Sequence, residues 1–357
     1  MSETSDEVLK IALISSHGNL FSRNKSLFEG DYLHVTLICC DSDPLTDMGF
    51  VDEVHVFQSH DKCGGNAKEL IENIDILNKL PEFVLLEDDD WLFQISRSNL
   101  DDNLKFRLLP IKNKMYFNVA GSKISQVELF SELQINHPRT QIIMNPKIEE
   151  VRIPFPLIAK GERRSGGAEI ALAENLLDIE DFSIGQKSEF LLQEIIPGEE
   201  FNADVFYRNG ELIFTSISIT KCVMWKFGPS ARRDYSREVP SEIIDLLESI
   251  GKKLQFNGIA NVTLMKDTQS KEFYLFEFDS RLNAWAHISK SFGFRPEIFF
   301  LNPVRMEYRN PRGKVFVNGP RLDKFLNDTC GEGSPKKRFK LLNVRIKVRI
   351  SGGEFIG

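Results

Sequence analysis

The sequence predicts an α/β chain: an open parallel α/β domain at the amino end, then a second, α+β body, then a basic, β-rich extension. Three observations carry this. Strand-length apolar runs alternate with a helical period over the first hundred residues. From about Gln141 a strand, a glycine loop, a helix and a strand follow one another. Later, an amphipathic helix leads into two strands joined by a polar turn.

In the first domain the runs KIALISS to Ser16, YLHVTLICC to Cys40, EVHVFQS to Ser59 and PEFVLLE to Glu87 read as strands buried on both faces. Between the last two, Leu70, Ile71, Ile74, Ile76 and Leu77 give the period of a helix crossing over a parallel sheet. His17-Gly18-Asn19 has one glycine and no G-x-G-x-x-G, so no dinucleotide fingerprint is present. The acidic run Glu87 to Asp90 follows the fourth strand, where ligands of such sheets gather, but a solvated loop is the preferred reading. From Ser122 the spacing of Ile124, Val127, Phe130 and Leu133 predicts a helix that ends before His137-Pro138.

In the second body PFPLIAK reads as a strand, GERRSGGAE as a glycine loop, IALAENLL as a helix and FLLQEII as a strand. Pro240 to Leu254 is an amphipathic helix with proline near its first turn. IANVTLM and EFYLFEFDSR are strands joined by Lys266 to Lys271. No low-complexity linker separates the parts, so they are expected to pack together.

Composition narrows the function classes. The 357 residues are 41 % hydrophobic and 27 % charged, with a mean hydropathy of -0.23 and no long apolar run, which excludes a spanning helix and predicts a soluble, cytoplasmic protein. The polar, acidic start MSETSDEVLK has no signal-peptide character. Five cysteines without a C-x-x-C pair suggest free thiols and no zinc site. Net charge is -7, yet Arg305 to Arg349 holds 13 Lys+Arg against 4 Asp+Glu. Its alternation at Val344 to Ile350 reads as a strand with one solvated face, in preference to an RNA or partner surface. Since 28 of the aromatics are Phe, a base-stacking platform is not expected.

Three motifs bear on chemistry. Lys160 ends a strand before Gly166-Gly167, which suits a polyphosphate under backbone N–H groups, although taken alone such a turn is more often a plain hairpin. Pro197-Gly198 turns the chain ahead of Glu200, either a ribose-binding acid or an exposed one. In Glu277-Phe278-Asp279-Ser280-Arg281 the period of two puts both acids and the arginine on one face. That arrangement suits Mg²⁺ carrying phosphates, or else a surface ion network.

In this order the motifs resemble the ATP-grasp family, most closely its carbamoyl-phosphate-synthase-like single-module ligases, over about residues 100 to 300. The resemblance implies a pre-ATP-grasp domain at 1–120 and an ATP-grasp module at 121–304. The module would have a lid subdomain at about 140–195 and a larger one at about 196–304, leaving 305–357 as the extension. It implies that Lys123 and Lys160 contact phosphates beneath a loop holding Ser165, Gly166 and Gly167. Gln193, Glu194 and Ile196 would read the adenine and Glu200 the ribose. Glu277 and Asp279 would hold Mg²⁺, with Mn²⁺ as an alternative ion, and Arg281 with Lys160 would face the transferred phosphoryl group. Asp279 stands where the family has Asn, and Thr263, fourteen residues before Glu277, stands where it usually has a further metal ligand.

The implied reaction activates a carboxylate as an acyl phosphate with Mg·ATP and passes it to an amine. The alternative is an ATP-binding homologue without turnover. Small-molecule carboxylate and amine substrates are the implied partners; no membrane or nucleic acid is expected, and a homodimer is left open. For the substrate, the basic segment TKCVMWKFGPSARRD offers Lys221, Trp225, Lys226, Ser230, Arg232 and Arg233, with Lys221, Ser230 and Arg232 the leading choices. A loop made basic for solubility is an equal reading. Asn283 either touches the phosphoryl group or closes the turn.

Overall fold

The computed structural model describes residues 8–16, 18–40, 43–57, 67–81, 83–144, 150–163, 169–186, 189–236, 238–307 and, for the backbone, 316–318. The four apolar runs form β1 (Leu9–Ile14), β2 (Leu33–Cys40), β3 (Glu53–Phe57) and β4 (Phe83–Leu86), all parallel, in the order β3-β2-β1-β4. The strands were expected to be buried on both faces, and β3 departs from that: as the edge strand it leaves Val54 and Val56 exposed. After β1 comes α1 (Asn19–Arg23). In place of one crossover helix there are two short ones, α2 (Lys68–Glu72) and α3 (Ile74–Lys79). Asn73 leaves the helical region between them, and its side chain accepts from the Ile76 N–H.

At the carboxyl end of β4, Glu87 is 5 % exposed and accepts from the N–H groups of Ser16 at 3.0 Å, Gly18 at 2.9 Å and Leu20 at 2.7 Å. In a parallel sheet the loop after the first strand is where a phosphate would meet backbone N–H groups. Here the protein's own carboxylate takes that place, consistent with the missing glycine fingerprint. Ser15 Oγ lies 2.9 Å from Glu87 Oε2 and 2.5 Å from Asp43 Oδ2, and its one proton serves one acid at a time. Three helices follow: α4 (Asp89–Arg97), capped by Asp88, α5 (Asp102–Leu108), capped by Asp101, and the predicted α6 (Lys123–Glu132), which Ser122 caps.

The second body holds two sheets. The smaller contains β5 (Thr140–Ile143), β6 (Leu157–Gly161), β7 (Ile170–Ala173) and β8 (Phe190–Glu194), antiparallel in the order β5-β8-β6-β7, with α7 (Leu176–Ile184) beside it. IALAENLL is therefore not one helix. Its first half pairs with β6 as β7, and α7 begins only where Asn175 and Asp178 form a capping box.

The larger sheet contains β9 (Gly198–Arg208), β10 (Glu211–Val223), β11 (Ser230–Tyr235), β12 (Gly258–Asp267), β13 (Phe273–Asp279) and β14 (Phe316–Asn318). It is antiparallel, in the order β13-β12-β9-β10-β11-β14. Between β11 and β12 runs α8 (Ser241–Leu254), whose Ile243, Leu247, Ile250 and Leu254 are fully buried in one cluster with Phe201, Ala203 and Val205 of β9. The same cluster includes Ala12, Ile14 and Leu86, so the two bodies share a core. The last helix among the described residues, α9 (Pro296–Leu301), packs Phe299 and Phe300 on Phe83 of β4.

Of the basic extension only residues 305–307 and the β14 backbone are described; the strand expected at 344–350 lies outside the described residues. The expectation of free thiols needs one correction, since Cys40 is disulfide-bonded, while Cys39 and Cys222 are thiols. Among the described residues no helix is long and apolar enough to cross a membrane.

Glu87→Ala takes the acceptor from the Ser16 and Leu20 N–H groups, while the Gly18 N–H keeps Ser15 Oγ at 2.8 Å, and should cost about 2 kcal/mol. An unchanged urea midpoint would show that the loop after β1 does not depend on this carboxylate.

Candidate active site

Side chains alternate along a strand, so burying Phe201, Ala203 and Val205 on one face of β9 turns Glu200, Asn202 and Asp204 to the other. Pairing register extends this polar face across the sheet. Glu277 of β13 lies beside Thr263 of β12, and Thr263 beside Asn202; likewise Asp279 lies beside Asn261, and Asn261 beside Asp204. This surface is the floor of a cleft of about 610 Å³. Ile158 and Lys160 of β6 and Gln193 and Glu194 of β8 line it from the smaller sheet, and Glu87, Asp88 and Asp89 from the end of β4.

Lys160, 6 % exposed, reaches from the smaller sheet to place Nζ 2.9 Å from Glu277 Oε1. Burial by itself would raise the Glu277 carboxyl, but the ammonium groups of Lys160 and Lys123 outweigh it and hold the group down at about 2. Asp279 goes the other way, pushed up to about 7 by burial and then by the Asp89 carboxylate, against the pull of Arg281. Arg281 is 9 % exposed. Its Nη2 donates to Asp89 Oδ2 and lies 3.8 Å from Asp279 Oδ2. Although burial opposes its charge, Asp89 and Asp279 hold the guanidinium firmly protonated.

The preferred reading of Glu87 to Asp90 as a solvated acidic loop is thus overturned. Glu87 is buried, Asp89 engages Arg281, and burial together with Asp89 raises the Asp88 carboxyl. No local signal could have found the Asp89–Arg281 contact, which spans 192 positions.

The other expected nucleotide contacts fall along the same cleft. Gln193 is 2 % exposed; its Nε2 donates to Thr140 Oγ1 at 3.2 Å, while its buried Oε1 has no hydrogen-bond partner. Such an orphaned acceptor suits an exocyclic amino group. The Glu194 side chain turns to Arg139, 2.7 Å from its Nε, which leaves the backbone as the part of Glu194 suited to a base. Ile196 lines the cleft at 9 % exposure. Glu200 Oε1 accepts from Thr220 Oγ1 at 2.6 Å and Asn202 Nδ2 at 3.0 Å. Lys123 lines the cleft at the first turn of α6; Glu162 accepts from Ser122 Oγ at 2.5 Å and from the Ile124 N–H at 3.0 Å there. Ser165, Gly166 and Gly167 lie outside the described residues.

Of the substrate candidates, Ser230 lines the cleft, whereas Lys221 and Arg232 lie outside its lining. Lys221 pairs with Glu199 at 2.9 Å and Arg232 with Asp234 at 3.5 Å. Asn283 lines the cleft and closes the turn: its Nδ2 donates to Asp204 Oδ1 at 2.5 Å and to Asn261 Oδ1, and its Oδ1 accepts from the Trp285 N–H at 2.5 Å.

Among the described residues no cluster of three or more His, Cys, Asp or Glu side chains is placed to hold a metal ion. Glu277 and Asp279, with the Thr263 hydroxyl alongside, do fit an ion that arrives with phosphates. Mg²⁺ bound this way needs only one or two protein carboxylates.

No family model matches the chain. It is 27 % identical over 96 residues to a carbamoyl-phosphate synthase from Methanobrevibacter smithii and 19 % identical over 228 residues to a D-aspartate ligase from Enterococcus faecium. Those matches cover 27 % and 57 % of this chain, and 26 % and 54 % of the relatives' own lengths. Among solved structures, an L-amino acid ligase from Bacillus licheniformis superimposes with a TM-score of 0.63 at 11 % identity, over 87 % of this chain and 79 % of that one. A carboxyaminoimidazole ribonucleotide synthase from Aspergillus clavatus, complexed with ATP, gives 0.65 at 12 % identity, over 93 % and 88 %. The structural neighbours are ATP-grasp ligases, and this chain has their fold.

Asp204, 1 % exposed and paired in register with the cleft-lining Asn261, yields a pH prediction. Burial raises its carboxyl from 3.8 to about 6, against Arg233 and Asn283. The folded state therefore holds this proton more tightly than the unfolded chain does. The associated stability is complete below about pH 4 and lost as pH rises through about 6. Asp204→Asn should remove that dependence, so its urea midpoint relative to the parent should climb between pH 4 and pH 7 by up to about 3 kcal/mol in stability. Parallel profiles would contradict it.

Proposed function

We propose that the protein is an ATP-dependent ligase that activates a carboxylate as an acyl phosphate and joins it to an amine. The observation that carries this is the pairing of Lys160 on one sheet with Glu277 on the other, with Asp279 and Arg281 following on the same segment. Two opposed sheets holding a lysine against a carboxylate pair is the arrangement expected where a polyphosphate and its cation enter together: the lysine exchanges its carboxylate for phosphate, and the carboxylate exchanges its lysine for metal. The similarity to the D-aspartate ligase and to the ATP-complexed synthase supports the same reading.

On this reading Gln193 Oε1 accepts from the adenine amino group and Glu200 faces the ribose. Lys123 and Lys160 neutralise the inner phosphates. Glu277 and Asp279 would hold Mg²⁺, which supplies charge neutralisation to the phosphates when bound. Arg281 faces the transferred group, where charge spreads over its equatorial oxygens. The acid's oxygen attacks the γ-phosphorus, the bond to the bridging oxygen breaks, and ADP leaves. The amine then attacks the acyl carbon and phosphate departs with the bonding pair. No covalent enzyme nucleophile is required.

The alternative, nucleotide binding without turnover, is favoured by one observation: Asp89 already occupies Arg281. The two readings separate on ADP release with Mg·ATP across a panel of amino acids and dicarboxylates. A ligase releases ADP with at least one acid–amine pair, and Glu277→Ala abolishes it; identical rates in parent and variant refute the proposal. Arg281→Lys should lower turnover by about 10² to 10³ while leaving ADP affinity within a few-fold, since its contact belongs to the transition state. Lys160→Ala, by contrast, should weaken ADP binding by about tenfold or more in calorimetry.

A further inference from the structure

Arg233 is the buried cation of the cleft that the proposed reaction does not use. It sits on β11, three residues beyond Ser230, at 5 % exposure, and lines the cleft together with Asn202, Ser230 and Trp285. Three contacts fix its orientation. Nε donates to Ser230 Oγ at 2.7 Å, Nη2 donates to Asn202 Oδ1 at 3.0 Å, and the guanidinium lies 4.9 Å from the centre of the Trp285 ring. The remaining nitrogen, Nη1, is buried and has no hydrogen-bond partner.

Among the described residues no carboxylate lies within ion-pair distance of Arg233. Asp204, the acid whose charge it feels, is beyond that distance, and its Oδ1 accepts from Asn283 Nδ2. The guanidinium's charge is thus balanced only at a distance, by Asp204, and no acid among the described residues contacts the fork; buried charges are rare unless something pairs with them closely. The neighbours that hold it are neutral, so they orient the fork without neutralising it. Such a group is prepared for an anion that comes from outside.

The surroundings select which anion. Met224, Phe227 and Pro229 line this end of the cleft with Trp285, while the lysines and the orphaned Gln193 oxygen mark the nucleotide end. The hairpin between β10 and β11 is tightly made. A Cβ on Gly228 would come within 2.6 Å of the Trp225 ring, and Phe227 adopts φ 64°. Along the sheet, Asn202 stands two strands from Glu277, about 10 Å. That separation places the guanidinium beside the reacting phosphoryl region and not on it.

Resting on the ligase reading above, we propose that Arg233, oriented by Ser230, Asn202 and Trp285, binds the carboxylate of a substrate whose body is apolar. The planar fork accepts both carboxylate oxygens, and the aromatic and thioether side chains cover the body.

The test uses the full chain and calorimetry with 3-phenylpropionate, 4-methylpentanoate, their primary amides, succinate and ADP. The two apolar acids should bind the parent at least about tenfold more tightly than their amides, the margin expected for hydrogen bonds to a charged group. They should also bind more tightly than succinate. Arg233→Gln should lose that preference, Arg233→Lys should keep part of it, and ADP affinity should be unchanged in both.

Equal binding of acids and amides by the parent overturns the proposal without any variant being needed. So does succinate binding as tightly as the apolar acids, a preference that survives in folded Arg233→Gln, or a fall in ADP affinity in that variant, which would assign the guanidinium to the nucleotide. ADP binding with no acid bound at millimolar concentration refutes this inference and leaves the ligase reading standing. Acid binding without ADP binding does the reverse. With Mg·ATP added, ADP release with the probe as sole acid identifies the acid held by Arg233 as the one that is activated.

Discussion

The ion pair between Lys160 and Glu277 joins the two sheets of the second body at the point where the cleft is most charged. Its two ends come from strands 117 residues apart, and each is partly removed from water, so neither could be left alone without a large penalty. Glu277 stays ionised because two ammonium groups face it, while Asp279, two residues on, is raised toward neutrality by burial and by Asp89. One strand therefore carries two carboxylates in opposite electrostatic conditions. The difference arises from what each meets across the cleft, since their own strand treats them alike.

A second ion pair, Arg281 with Asp89, ties the same strand's end to the first domain. Together the two pairs surround the polar face of the six-stranded sheet with charge contributed from three separate parts of the chain. The opposite face of that sheet is apolar and shares its core with α8 and with β1 and β4. Removing water from one face of the sheet thus fixes which side chains the other face must present.

Legibility followed how local each signal was. The parallel sheet, the helix from Ser122 and α8 were readable because periodicity acts over a few residues. Glu277, Asp279 and Arg281 could be placed on one face from the period of two alone. IALAENLL misled because four apolar residues fit a strand as well as the first turn of a helix; pairing with β6 decides it. The roles of Asp89 and Glu87 were illegible, since an acidic run looks solvated until its partners, 192 and up to 72 positions away, are folded against it. Arg232 and Arg233 are adjacent and chemically identical. Only the strand's alternation, bent by the register shifts between β10 and β11, sends one outward and the other into the cleft.

The pairing of β14 with Arg232–Asp234 of β11 has a mechanical side. Without it β11 would be the sheet's outermost ribbon, its amides open to water on one flank and the strand able to swing. Clamped on both flanks, it becomes an interior rail, and the fork of Arg233 is mounted on something stiff. A short length of chain from beyond α9 thereby braces a hairpin whose own tip is narrow, and moves the sheet's open border one strand away from Arg233.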